Sequence, residues 1–258
     1  MALTKDKGMS DWPLSDRFPA SPFPSAYREI AVSHKSNRRN FCIRLKDPVC
    51  GVTHLIGALL SIVGLFLLLE LANSRGTAID MISFSFYGLS LIALYTASAL
   101  YHSLHVSRAA HETLRQLDHA MIYILIVGTY TPVCLTILAN PWGWGILGIV
   151  WGMAICGIML TFLFRYPSSR ILNFGFALYL LMGWTIVLGW APLVKTLSAE
   201  GVFLMVLGGL FYTFGAVIMR MEELEIIPGF FGAHEIWHLM VMAGSFSHFW
   251  MILKHTIG

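Results

Sequence analysis

Charge is what this chain has least of. Asp, Glu, Lys and Arg make up 12% of its 258 residues, against 57% hydrophobic, where soluble domains carry about 25% charged residues. That excludes a disordered chain and argues against an ordinary soluble domain. The net charge of +3 is small, and no basic–aromatic recognition surface accompanies it, so no nucleic-acid partner is expected. Cysteine is also scarce. Cys42, Cys50, Cys134 and Cys156 have neither metal-type spacing nor the pattern of a disulfide framework. Cys134 and Cys156 fall in apolar segments, where a free thiol acts as a small hydrophobe. Period-two alternation is missing, which excludes a transmembrane β-barrel. Internal repeats are missing too. Residues 1–46 contain no apolar run of the kind a signal peptide requires.

What the chain has is apolar runs. Seven segments, at about 51–73, 80–102, 117–138, 142–164, 171–194, 200–220 and 233–253, each approach the roughly 20 residues that a bilayer core requires. The expected fold is therefore all-α, a seven-transmembrane-helix bundle with short connections. Ahead of this domain (47–258) lies an arm, 1–46, with nine of the seventeen Lys and Arg residues and the stretch Phe18-Pro19-Ala20-Ser21-Pro22-Phe23-Pro24. The arm reads as cytoplasmic and partly disordered. With the N-terminus inside, fourteen Lys and Arg residues fall on the inner side and three (Arg75, Lys195, Lys254) on the outer side. The positive-inside rule then places the N-terminus in the cytoplasm and the C-terminus outside, the reverse of a G-protein-coupled receptor. A multi-pass protein of the plasma membrane is expected.

Five polar residues stand in or at the ends of the apolar segments: Ser98, His102, Asp118, His234 and His238. Such residues are expensive in lipid; Asp costs roughly 2.5–3.5 kcal/mol at a helix centre on insertion scales. In the expected orientation His102 ends segment 2, Asp118 opens segment 3, and His234 and His238 open segment 7. All of them then share the inner-leaflet depth. His234 and His238 are i and i+4, on one helical face and about 6 Å apart along the axis; Ser98 and His102 have the same spacing. Two imidazoles so spaced can chelate one metal, and three with an open position form the usual catalytic zinc pattern. Asp118 is the natural group to orient a bound water, and Ser98 can donate to an oxyanion. Hydrogen bonding between helices is the plainer reading of each histidine taken alone.

His234-Glu235-Ile236-Trp237-His238 also fits the H-E-x-x-H helix of zinc proteases. Gly244 and His248 do not fit the extended form of that motif, and His248 lies about 15 Å beyond His238 along a helix. Glu235 therefore ranks below Asp118. His54 is expected at the mouth of the cavity, His119 in interhelical packing, and His105 and His111 in solvent. Tyr101, Trp142, Trp144 and Trp250 fit an interfacial belt.

Asp47-Pro48-Val49-Cys50-Gly51-Val52-Thr53-His54-Leu55-Ile56-Gly57 resembles the opening motif of the hemolysin III and progestin and adipoQ receptor family. Ser98-Ala99-Leu100-Tyr101-His102, then Leu117-Asp118-His119 with Gly128-Thr129-Tyr130-Thr131-Pro132, then His234 to His238 with Gly244 and His248-Phe249, resemble its later motifs in order. The short arm and compact loops are similar to the bacterial hemolysin III branch. The resemblance implies a zinc ion (Zn2+) near the inner leaflet on His102, His234 and His238, with Asp118 at its water and Ser98 beside it. Cys50 stands where the family usually carries Asn, and no role is assigned to it. Ceramidases share this layout, so the expected function is a zinc-dependent hydrolase of a lipid amide or ester. Its partners would be membrane lipids, including a substrate with an acyl chain. The alternatives are a membrane sensor or receptor with structural zinc, a cytolysin (for which no amphipathic pore-forming stretch is found), and, remotely, an intramembrane protease.

Overall fold

A computed structural model describes residues 46–221, 223–228 and 230–255; the expected arm lies outside them except for Lys46. Among the described residues, seven helices are long and apolar enough to cross a membrane. They are α1 (Pro48–Arg75), α2 (Ala78–Ser103), α3 (Arg108–Pro132) with a π-helical turn (Val133–Ile137), α4 (Pro141–Leu163), the pair α5 (Ser169–Trp184) and α6 (Trp190–Thr196), α7 (Ala199–Met219) and α8 (Ala233–His255). Their outer faces carry exposed large apolar side chains such as Leu59, Phe66, Leu163 and Phe203. A surface of this kind requires lipid rather than water.

The ends of the helices follow from short polar signals. Thr77 and Asp80 form a reciprocal capping box at the start of α2. Ser107, Asn140 and Ser198 cap α3, α4 and α7 by accepting from backbone N–H groups. Ser107 also explains why α3 begins at Arg108 rather than near 117. Its polar first turns are held by contacts instead of lipid: Arg115 donates to Glu112 and to the Arg165 carbonyl, and Gln116 to the Thr161 carbonyl.

The fifth span is broken where a continuous helix was expected. A 3-10 turn, Thr185–Gly189, separates α5 from α6. Pro192 lies just beyond it and cannot donate a helical hydrogen bond. Backbone groups freed inside a bilayer need partners within the protein, and Tyr130 supplies them. Its hydroxyl accepts from the Ile186 N–H (2.8 Å), and its proton is shared between the carbonyls of Met182 and Gly183 (2.8 and 2.9 Å). Tyr130→Phe should cost about 1–3 kcal/mol by leaving these groups unpaired. Thermal unfolding of the purified variant checks this, and an unchanged midpoint would refute it.

α8 packs closely on α7 through glycine. A Cβ at Gly208 would lie 3.1 Å from the Gly244 carbonyl oxygen, and one at Gly244 would lie 3.0 Å from the Tyr212 ring. Before α8 the chain forms a small antiparallel hairpin, β1 (Glu225–Ile227) with β2 (Phe231–Gly232), in register Glu225 to Gly232. α8 starts directly after β2, so the hairpin sets where His234 enters the bundle. Glu235, in the first turn of α8, reaches back to accept from the Gly232 N–H at 2.8 Å, half of a capping box.

Candidate metal centre

The start of α1, the end of α2 and the start of α8 meet at one end of the bundle. Asp47 donates its backbone N–H to the His102 carbonyl (2.9 Å), and Cys50 on α1 donates to Glu235 on α8 (3.4 Å). Between them, three imidazoles converge. The ring centroids of His102, His234 and His238 stand 5.0, 4.8 and 4.8 Å apart. The Nε2 of His234 lies 3.4 Å from that of His102 and 3.2 Å from that of His238. Two nitrogens on one tetrahedral zinc at 2.0–2.1 Å would stand about 3.3 Å apart, so the donors fit such an ion. His102 and His238 are buried.

The tautomer of His102 is set from outside the cluster. Its Nδ1 lies 3.0 Å from Asp47 Oδ2. With the proton on Nδ1 donating to that carboxylate, the lone pair of Nε2 points at the other two rings, the usual outer-shell arrangement for a metal-bound histidine. Asp47 stands at the N-cap of α1 with Pro48 after it, a strong capping signal, yet its side chain makes no capping bond. It is drawn to His102 instead. Burial opposes its charge, but the hydrogen bond from His102 and the charge of Lys46 outweigh this and hold its carboxyl below the usual range. Sequence reasoning missed Asp47, because its local pattern reads as a cap.

Cys50 was missed too. The sequence assigns it no role, and the structure places it beside two of the histidines: Cys50, His102 and His234 each offer one ligand atom, all within 4.8 Å of one another. These residues could hold a metal ion. His54 is not at a cavity mouth. It is 3% exposed, stacked on His238 at 3.8 Å and set edge-on to Tyr95 at 5.0 Å. Neither of its ring nitrogens has a hydrogen-bond partner among the described residues, nor does Nδ1 of His238.

Asp118 and Ser98 are both largely shielded from solvent. The Asp118 side chain is 16% exposed and lies 3.9 Å from His119 Nδ1. Ser98 is 2% exposed, one turn before His102 on α2. His119 donates its Nδ1–H to the Arg115 carbonyl within α3 (2.8 Å), and the contact between helices is made by its backbone carbonyl, which accepts from Tyr179. His248 bonds the Met205 carbonyl, away from the cluster. His105 is exposed as expected, but His111 is not free in solvent; it contacts Lys46 at 2.9 Å and packs on Tyr101. Tyr101 is accordingly buried rather than part of a lipid-facing belt, to which Trp142 and Trp144 do conform.

The haemolysin-III related family model matches residues 43–249, which takes in six spans whole, most of the seventh and every residue of the cluster. The chain belongs to that family. Hemolysin-3 of Bacillus cereus is 38% identical over 206 residues, covering 80% of this chain and 90% of that protein. The Hemolysin-3 homolog of Bacillus subtilis (strain 168) is 35% identical over 214 residues, or 83% and 96% of the two chains. More distantly, the monocyte to macrophage differentiation factor of Homo sapiens is 28% identical over 207 residues, covering 79% of this chain and 81% of that protein. As a member of the haemolysin-III family with seven spanning helices, the protein is a multi-pass integral membrane protein.

Proposed function

We propose that this haemolysin-III family protein is a zinc-dependent hydrolase of a membrane-lipid amide or ester, of the ceramidase type, with zinc held by His102, His234 and His238. The observation that carries the reading is the convergence of these three rings, with Nε2 separations of 3.4 and 3.2 Å. The excess of Lys and Arg in the arm and in the loops on its side supports an inner-leaflet depth for the site and a plasma-membrane location. A bound zinc supplies a water of lowered pKa and polarises an acyl carbonyl. The protein's part is to place and move protons. The Asp118 carboxylate takes the water proton and returns it to the leaving amine or alkoxide. The Ser98 hydroxyl donates to the oxygen that gains charge. Asp47 holds the His102 imidazole by its Nδ1–H throughout. Both Glu235 carboxylate oxygens are engaged, one by the Gly232 N–H and the other by the Cys50 thiol, which disfavours the protease reading of the H-E-x-x-H sequence.

The test is turnover of ceramide and of lipid esters in vesicles by purified protein, with zinc content measured alongside. Wild type should carry zinc and release fatty acid, and His238→Ala should lose both. Equal turnover by the two proteins would sink the hydrolase reading. Asp47→Asn should keep the fold but weaken zinc binding by roughly 10–100-fold, the usual cost of losing an outer-shell partner. Competition against a chromophoric chelator measures it, and an unchanged affinity would remove Asp47 from the site.

One observation favours a second reading, a membrane sensor or receptor with structural zinc. The Cys50 thiol stands with His102 and His234, and with His238 as a fourth protein donor the site would be closed and structural. That reading predicts metal-dependent stability without lipid turnover.

A further inference from the structure

We propose that Cys50 is a thiolate ligand of the metal at His102 and His234, filling in the resting protein the position that a reacting water would take. The inference rests on the metal reading above and not on the hydrolysis reading.

Cys50 is fully buried, as is Cys134, but the two thiols have different surroundings. Cys134 is part of the continuous apolar core, and Cys50 is not. Cys50 faces ligand atoms instead, with its sulfur and one nitrogen each from His102 and His234 lying within 4.8 Å of one another. Sulfur and nitrogen on one tetrahedral zinc would stand about 3.6 Å apart, and a small χ1 adjustment of a cysteine covers the difference. The thiol also has a proton acceptor in place. Sγ donates to Glu235 Oε1 at 3.4 Å, while the other carboxylate oxygen is fixed by the Gly232 N–H. Ligation then balances simply. The S–H bond breaks, the metal–sulfur bond forms, the proton passes to Glu235 Oε1, and no electron is exchanged.

The consequence is regulatory. With Cys50 bound together with His102, His234 and His238, the metal would have four protein donors from α1, α2 and α8, and water would enter only when the thiolate leaves or the coordination expands to five. α1 thereby becomes the element whose displacement opens the site.

Cobalt(II) loaded into the full-length apoprotein in detergent micelles tests this by absorption spectroscopy. Wild type should show visible ligand-field bands together with a near-ultraviolet sulfur-to-cobalt charge-transfer band. Cys50→Ser should keep the ligand-field bands and lose the charge-transfer band. Cys50→Asn is a second variant should serine fail to fold, and Cys42→Ser and Cys134→Ser should retain both features. Ligand-field bands without charge transfer in wild type, or charge transfer surviving in the Cys50 variants, would overturn the role of Cys50 while leaving the metal reading intact. No cobalt retained by wild type would overturn both.

Discussion

Alanine in place of His234 should abolish stoichiometric metal binding. Its Nε2 is the central atom of the cluster, with the Nε2 atoms of His102 and His238 on either side at 3.4 and 3.2 Å. Without it the two outer rings lose the donor that bridges them, so the loss should exceed the roughly 10–100-fold that an outer-shell partner is worth. The metal-to-protein ratio after purification, followed by chelator competition, measures this. His248→Ala is the matched control. It lies on the same helix but bonds the Met205 carbonyl, so its metal content should equal that of wild type. A His234→Ala protein that purified with a full complement of metal would remove the cluster from consideration.

Stripping the metal from the wild-type protein should lower its thermal stability by about 10 °C. An ion at 1,000 times its dissociation constant stabilises the folded state by about 4 kcal/mol, and each kcal/mol shifts the midpoint of a chain this size by roughly 2–4 °C. The ion would join α2 to α8 across 132 residues of sequence, the separation of His102 and His234. Its loss would leave α2 tied to α8 by Tyr87 and Tyr95, whose hydroxyls both bond to Ser245. Scanning fluorimetry with and without chelator measures the shift. His234→Ala should show no chelator response, which separates loss of bound metal from a general effect of chelator on the micelle. If wild type also failed to respond, both the catalytic and the structural zinc readings would fall.

Both expectations depend on residues that differ in how visible they are along the chain. His234 and His238 declare themselves, because i and i+4 on an apolar helix share a face whatever surrounds them. His102 is visible as a costly group at the end of a span. Asp47 is not visible, because an aspartate before proline at a helix start reads as a cap. It becomes a partner of His102 only because α2 ends beside it and offers the His102 ring. Cys50 reads as an apolar residue until Glu235, 185 positions away, is brought to its thiol. Glu235, from its position in the first turn of α8, turns one carboxylate oxygen to the Gly232 N–H and the other to the Cys50 thiol.

The sequence by itself determined the seven spans, because a bilayer demands about 20 apolar residues per crossing and leaves every backbone group to be satisfied within the helix. It also determined the chelating pair on α8, which depends on helical periodicity alone. The tertiary structure decided how each helix is rotated about its axis. Hydropathy does not encode that rotation; close contacts do, such as Gly208 against Gly244, which seat α8 on α7. That rotation brings Cys50, His54 and Asp47 to the three imidazoles and makes the fifth span break where Tyr130 can bond its freed backbone groups. Each of these is a contact between helices distant in sequence, set by packing and not by any local pattern.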